Sequence, residues 1–558
     1  MPELIADVLV VGGGAAGMRA AIEARKQGAE VVLLSKVHPL RSHTITAHAG
    51  INGAPAGGAW QAHALDTVRA GDWLNDQDAV EVLCQEAPRA IIELDHMGAL
   101  FNRDGQGHLD RRRLGGQSAP LACYVNDMTG HYILHVLYEQ ILKSAAKCCD
   151  EWFVTALLVD SGACRGVIAL ELLTGKLHAL GARAVVLATG GGVRAYEPST
   201  GSLGTTGDGV ALAYRADVPL MDMEQVQFHP LGLGRNGGLA SEATLGEGAH
   251  LFNKEGQRFA QAVAPGMAEL APRDLLVRAA LAELEAGRGV DGALLLDARH
   301  LGKDRVMTRL PQTREVVKAF TGKDLAADPV PVRPIAHRLM GGIHTDLNGA
   351  TPLPGLYAAG SCASTGAHGA TRLGGNTLAE AVVFGRRAGT AAAAYAKTVA
   401  APRGSDALLK DEERRIALAL SKGKGGESDV RLREELGRLM MEKAGISRDA
   451  AGLQEAVRGV AALQGRYAQA GPRGPGGAFD GGLVAFLELG YTLEVAWAIA
   501  AAALARAESR GAHWRRDHPE RNDAEWLRHT LVVRGAEGPR VEFRPVTVRQ
   551  WRPERRAY

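Results

Sequence analysis

Between Asp7 and Lys36 the apolar and polar positions follow the order strand, glycine turn, helix, strand. The apolar run DVLVV ends in GGG, AAGMRAAIEARKQG carries its small and apolar residues at helical spacing, and AEVVLLSK is a second apolar run. That order predicts one βαβ unit. Two later apolar runs end in glycine in the same way: residues 184–188 before Thr189-Gly190-Gly191-Gly192, and 355–359 before Gly360. Three such strands predict one nucleotide-binding domain built from a discontinuous chain. From about residue 235 to 335 the pattern is richer in charge and in helical spacing, as an inserted domain would be. Pro329, Pro331 and Pro334 mark the return.

After Ala400 the character changes. PRGSDALLKDEERR and SKGKGGESD read as a linker with solvated helix faces. Residues 429–470 and 483–508 have helical periodicity and are separated by the Gly/Pro-rich stretch 471–482. The most apolar long run, 483–507, is alanine-rich and contains Glu488, Glu494 and Arg506, so it predicts a packed helix rather than a membrane span. The stretch 526–558 contains the β-branched VTV and a basic end, WRPERRAY. The expected division is 1–235 with 336–400, 236–335, 401–508 and 509–558. The expected fold class is α/β, a Rossmann-like domain with an inserted α+β domain, then a helical and a small C-terminal domain.

Composition narrows the function classes. A chain of 558 residues has room for several cores. The 64 basic and 62 acidic residues nearly cancel, which gives no general field for nucleic acid, so any preference for anions must be local. The six cysteines, Cys84, Cys123, Cys148, Cys149, Cys164 and Cys362, form no C-x-x-C pair, so no iron–sulfur cluster is expected on this chain and reduced thiols suit a cytoplasmic protein. The opening residues run straight into an apolar strand pattern, which predicts no secretory leader.

Gly12-Gly13-Gly14-Ala15-Ala16-Gly17 satisfies G-x-G-x-x-G between a strand and a helix, where backbone amides and the helix N-terminus can hold a pyrophosphate. An acidic partner for a ribose is missing from the end of the second strand, where Ser35-Lys36 stands instead, and this disfavours NAD.

The stretch SKVHPLRSHTITAHAGIN (35–52) resembles the flavoprotein subunits of succinate dehydrogenases and fumarate reductases. The likeness continues through GDWLNDQDAV (71–80), LGGQ (114–117), LATGGG (187–192), TGDG (206–209), DMEQVQFHP (222–230), LAPRD (270–274), MGGIHTD (340–346), HGATRLGGNTLAEAVVFGR (368–386) and ESRGAHWRRDHPERND (508–523). It implies FAD covalently bonded to His43, with further contacts from Gly12, Gly14, Ala15, Ala16, Gly17, Ser35, Lys36, Ser42, Thr44, Gly50, Gly190, Asp208, Ser361, Thr377 and Leu378. By the same resemblance, His229, Ser241, His337 and Arg372 bind the carboxylates of a small dicarboxylate, and Arg273 exchanges a proton with the substrate carbon, with Glu242 as relay. It further implies an iron–sulfur subunit, a membrane anchor or another acceptor subunit, and a place on the inner face of the cell membrane through those partners.

The chain departs from the family at several positions. T-E-G-x-R-G-E-G is S-E-A-T-L-G-E-G here, so Leu245 stands where a relay arginine would be, and Ser241 replaces a threonine. His48-Ala49-Gly50 replaces Gln-Gly-Gly, Leu114 replaces a phenylalanine beside the substrate, and Ser361 replaces a flavin-contacting glutamate. Two other readings compete. SEATLGEGA and ELAPRD also resemble L-aspartate oxidases, which typically lack the linking histidine, and the substitutions allow a non-catalytic flavin-binding module.

Overall fold

A computed structural model describes residues 4–55, 58, 60–234, 237–402, 406–423, 427–556 and 558. The expected boundary at 235–236 and parts of the two glycine- and lysine-rich stretches lie outside these.

The strand Leu4–Val11 is the hub of a seven-stranded sheet. It pairs in parallel with Val31–Ser35 on one side and with the second half of Lys176–Leu187 on the other. Leu356–Ala358 adds to the far side of that half, again in parallel. The three glycine-ended runs are therefore neighbours in one sheet, with their turns at the same end. The first half of Lys176–Leu187 leaves this parallel core and pairs antiparallel with Ala163–Glu171, which pairs with Trp152–Asp160. The helices Ala15–Lys26 and Asn376–Ala396 pack closely on one face, because Gly385 and Gly389 let their backbone meet the carbonyls of Ala16 and Ala20.

A second, antiparallel sheet runs Gly238–Leu239, Val226–Leu233, Val330–Leu339, Leu294–Asp297, His250–Phe252. Pro331 and Pro334 lie inside the strand Val330–Leu339 rather than ending it, at a stretch where pairing with Val226–Leu233 is irregular. Its apolar core includes Leu231, Leu245, Leu251, Leu276, Leu294 and Val332.

The helices Asp429–Lys443, Ala450–Gln469 and Gly481–Ala505 form an antiparallel set, each with a side chain accepting from its first turn: Ser428, Asp449 and Asp480. Among the described residues, Gly481–Ala505 is the one helix long and apolar enough to cross a membrane, and most of that stretch is buried within the protein.

VTV (546–548) is not a strand; the strands are Arg528–Gly535 and Gly538–Pro545, joined as a hairpin. The backbone of Thr547 is spent elsewhere. Its N–H donates to Asp76 and its carbonyl accepts from Gln77, at the start of the helix Gln77–His96.

This hairpin is held by charge as well as by pairing. His529 is fully buried, with Nδ1 2.7 Å from Asp222 and Nε2 3.2 Å from Asp76. Burial pulls its pKa down, but the two carboxylates outweigh that and lift it to about 10. An imidazole raised from about 6.5 contributes its full stabilisation below pH ~6.5 and loses it as pH climbs toward the folded value. We expect His529→Gln to destabilise the hairpin by about 3–5 kcal/mol at pH 6, with the gap closing between pH 6.5 and about 10. Hydrogen exchange of residues 528–545 at a series of pH values measures it; a gap that does not change with pH contradicts this assignment.

Candidate active site

Two neighbouring strands of the second sheet carry the centre of the site. Side chains alternate along a strand, so Gln227 and His229 share one face of the otherwise apolar Val226–Leu233. Across the pair, Gln227 lies opposite Arg338 and Phe228 opposite Ala336, which leaves His337 as the extra residue of a bulge. Bulges re-aim side chains. Here the His337 ring comes to 5.1 Å from that of His229, edge to face.

Arg273 opens the helix Arg273–Glu285 and reaches the same place. Its Nε donates to Glu242 at 3.2 Å, its Nη2 donates to the other Glu242 oxygen, and its Nη1 donates to the Gln227 carbonyl at 2.7 Å. Arg372 donates to that same Gln227 oxygen at 3.2 Å and to the Leu373 carbonyl at 3.2 Å, and its Nε has no partner. Gln227 is locked in this orientation because its amide N–H groups donate to Thr371 Oγ1 at 2.7 Å and to the Arg372 carbonyl at 2.9 Å. One neutral oxygen thus bridges two like-charged guanidinium groups.

Arg372 is buried and makes no ion pair among the described residues, which excludes the role of a surface salt bridge. Burial, with Arg273 and Arg338 adding repulsion, pushes its pKa well below the usual value. Burial and the neighbouring arginines likewise hold His229 and His337 far below the ordinary histidine range, so both rings are neutral. His229 Nδ1 accepts from the Leu231 N–H at 3.2 Å, which places its proton on Nε2. His337 Nδ1 lies 2.8 Å from Thr200 Oγ1. The Ser241 Oγ accepts from the Ala243 N–H at 3.2 Å and keeps its own hydrogen for another acceptor. Arg273, Glu242, His229, His337 and Arg372 are brought together from five separate segments, and Ser241 adjoins Glu242 in the chain.

The residues expected to hold FAD fit a dinucleotide. At Gly12, φ is +118° and a Cβ would overlap the Ala188 carbonyl; at Gly17 a Cβ would overlap Gly12 itself. Ala15 and Ala16 start the helix after Gly14, whose N-cap position has no side-chain cap. Ser42 and Thr44 close over that helix end: the Ala15 N–H donates to Thr44 Oγ1 at 3.2 Å, and a Cβ on Gly14 would press on Ser42 Oγ. Gly190, with φ +83°, faces open space, and Ser361 passes next to Gly191. Gly50 has φ +138° and packs on Cys123. Ser35 is buried at the end of its strand. Thr377 and Leu378 lie in the first turn of Asn376–Ala396, another helix start without a side-chain cap. The ammonium of Lys36 lies 2.6 Å from both Asp208 and Glu488. This ion cluster ties the second strand's end to the helix Gly481–Ala505.

Sequence reasoning gave no role to Gln227. Its signal was available in the alternation of DMEQVQFHP, where two polar side chains two residues apart interrupt a buried strand. It also missed Arg338, Glu380 and His368. Arg338 pairs with Glu380 at 2.6 Å, and His368 lies 3.2 Å from the same carboxylate. No spacing in the sequence announces contacts between side chains that far apart in the chain.

The chain matches the FAD binding domain family over residues 7–378 and the fumarate reductase flavoprotein C-terminal family over residues 433–558. It is 43% identical over 576 residues to the fumarate reductase flavoprotein subunit of Mycobacterium tuberculosis, covering 99% of both chains. It is 40% identical to the succinate dehydrogenase flavoprotein subunit of Rickettsia bellii, over 97% of this chain and 95% of that one. Among solved structures, a quinol–fumarate reductase with menaquinol molecules aligns with a TM-score of 0.94 at 39% identity, covering 99% of this chain and 100% of that chain. Mycobacterium smegmatis Sdh1 in complex with UQ1 aligns with a TM-score of 0.86 at 35% identity, covering 99% of this chain and 95% of that one. On fold, on site geometry and on similarity from end to end, the chain belongs to the family of fumarate reductase and succinate dehydrogenase flavoprotein subunits.

Proposed function

We propose that this protein is the catalytic flavoprotein subunit of a succinate dehydrogenase/fumarate reductase complex, interconverting succinate and fumarate. The observation that carries the reading is the pair Arg273 and Arg372, buried together, bridged by one amide oxygen and flanked by two neutral histidines. A site with that excess of donors and positive charge is complemented by a dicarboxylate.

FAD, when bound, supplies the two-electron hydride chemistry. The chain's own residues do the rest. Arg372 with its free Nε, His229 through Nε2–H, His337 and Ser241 hold the carboxylates, which fixes the reacting carbons. Arg273 gives a proton to the substrate carbon in fumarate reduction and recovers it in succinate oxidation. Glu242, gripping that guanidinium through both oxygens, is positioned to resupply it. The alternative of a stand-alone L-aspartate oxidase is not favoured, because the relatives matched over the full chain are fumarate reductase and succinate dehydrogenase subunits and His43 is in place.

His43 is assigned as the covalent attachment point. Burial, then the charges of Arg338 and His48, lower its pKa to about 4, so the ring is neutral. Its Nδ1 faces the Ser202 N–H at 3.4 Å and Thr46 Oγ1 at 3.2 Å, and Nε2 has no hydrogen-bond partner among the described residues. An iron–sulfur partner would carry the electrons onward, since the six cysteines of the sequence form no C-x-x-C pair. A membrane anchor or another acceptor subunit then holds the chain at the inner face of the membrane.

Acid-denatured protein is expected to stay yellow, and His43→Ser to release its flavin on denaturation; full release from the wild type rules out the covalent link. Gln227→Leu removes the shared acceptor of two charged donors. Its kcat/KM should fall about 100-fold, ~2.7 kcal/mol, in steady-state assays of the purified complex, and a change within about twofold removes the bridge from the mechanism. Leu245 is buried in the apolar core of the second sheet. A water or a neighbouring polar group must therefore carry the proton beyond Glu242. Leu245→Arg is expected to leave kcat unchanged or lower it by burying an unpaired charge; a rise of about tenfold, ~1.4 kcal/mol, means that the apolar residue limits the reaction.

A further inference from the structure

Residues 547–556 run along the helices Trp60–Ala70 and Gln77–His96 and reach the second sheet's layer, where Tyr558 also lies. Gln77 clasps the segment, accepting from the N–H groups of Arg549 and Trp551 and donating to the Trp551 carbonyl at 2.6 Å. An exposed pair, Arg69 with Glu554 at 3.1 Å, follows. Arg556 comes next and is largely buried. Its two terminal nitrogens donate to the two oxygens of Asp274 at 3.2 and 2.7 Å, and Nη2 also lies 3.3 Å from Asp72. Beyond it Tyr558 packs on the apolar core of the second sheet's layer, with its backbone at Gly266.

The two carboxylates bridged by Arg556 belong to different layers. Asp72 sits in the turn between the helices Trp60–Ala70 and Gln77–His96, in a left-handed backbone conformation (φ +52°), and also accepts from the Gly511 N–H and from Arg521. Asp274 is the second residue of the helix whose first residue is Arg273. Its only other ion-pair partner among the described residues is Arg278 at 3.3 Å. A bidentate pair at this point fixes the direction of the helix's first turn and therefore the direction from which Arg273 enters the site.

We propose that segment 551–556 is a latch between the two layers, and that Arg556 is a positioning residue which, through Asp274, holds the Arg273 guanidinium on Glu242 and Gln227. A planar fork suits this task and an ammonium does not, because a single point charge cannot span both Asp274 oxygens while facing Asp72. The latch acts on the chemical step. Arg556 lies outside the carboxylate-binding set, so its loss should lower kcat and leave KM nearly unchanged.

The test uses the intact flavin-loaded complex. Arg556→Ala is expected to lower kcat at least tenfold in both directions with KM within about twofold, and Arg556→Lys to recover part of the loss. Asp274→Ala should match it, and combining it with Arg556→Ala should add little further loss, the mark of two residues acting as one unit. Glu554→Ala, in the same segment, should keep full activity. If Arg556→Ala fails to fold, Arg556→Gln with Asp274→Asn keeps a neutral hydrogen bond and should show the same kcat loss with normal flavin content. Wild-type kcat in these variants overturns the proposal. So does a loss confined to KM, or an equal loss in Glu554→Ala. The proposal rests on Arg273 as the proton-transfer residue, so Arg273→Gln runs alongside: if it retains turnover, that assignment fails; if it is inactive while the Arg556 variants are normal, the latch alone fails.

Discussion

Burying positive charge is the constraint on which the rest of this structure depends. Three guanidinium groups, Arg273, Arg338 and Arg372, lie within one buried region that contains Glu242 and Glu380 as counter-charges. Desolvating a cation without full pairing costs several kcal/mol, and the region limits that cost in two ways. The histidines between the arginines stay neutral, and a single amide oxygen from Gln227 accepts from two of the three cations. The Nε groups of Arg338 and Arg372 remain unpaired, and the Nε edge of Arg372 is one that a carboxylate would complement. A carboxylate bound there would relieve a tension already present in the folded protein.

A tension of that size needs a rigid frame. The strand that carries Gln227 and His229 begins just after Asp222 and Glu224, and both are anchored from below. Asp222 holds His529, and Glu224 pairs with Arg506 at 2.6 Å inside a fully buried network that continues through Glu508 to Arg510. The motif ESRGAHWRRDHPERND supplies much of that network, so its charges are structural rather than catalytic. Each of its buried ions has a partner, which is the condition under which ion pairs can specify a unique arrangement. Lys36 with Asp208 and Glu488 likewise anchors the end of the strand Val31–Ser35.

The fold was legible wherever short-range pattern decides structure. The glycine-ended runs after Val11, Leu187 and Ala358 did mark adjacent parallel strands, because only glycine tolerates the backbone approach at positions such as Gly12. The helices after residue 429 were readable from apolar spacing. The β-branched VTV favours extended backbone but joins no strand, because tertiary partners at Asp76 and Gln77 take its hydrogen bonds. At the site, resemblance located Arg273, Glu242, His229, His337 and Arg372, and the geometry brings them together. Gln227 left a trace in the alternation of DMEQVQFHP, but Arg338 and the role of Arg556 were invisible, because each depends on a contact between residues more than forty positions apart.

A dicarboxylate would complement these buried cations. The most direct test is equilibrium binding of succinate to the flavin-loaded protein, followed by the flavin absorbance, beside its monoamide and beside the Arg372→Gln variant. Succinate should bind saturably, with the monoamide and the variant each weaker by about 100-fold or more, ~2.7 kcal/mol. Equal affinity for succinate and its monoamide, or unchanged affinity in Arg372→Gln, would contradict it.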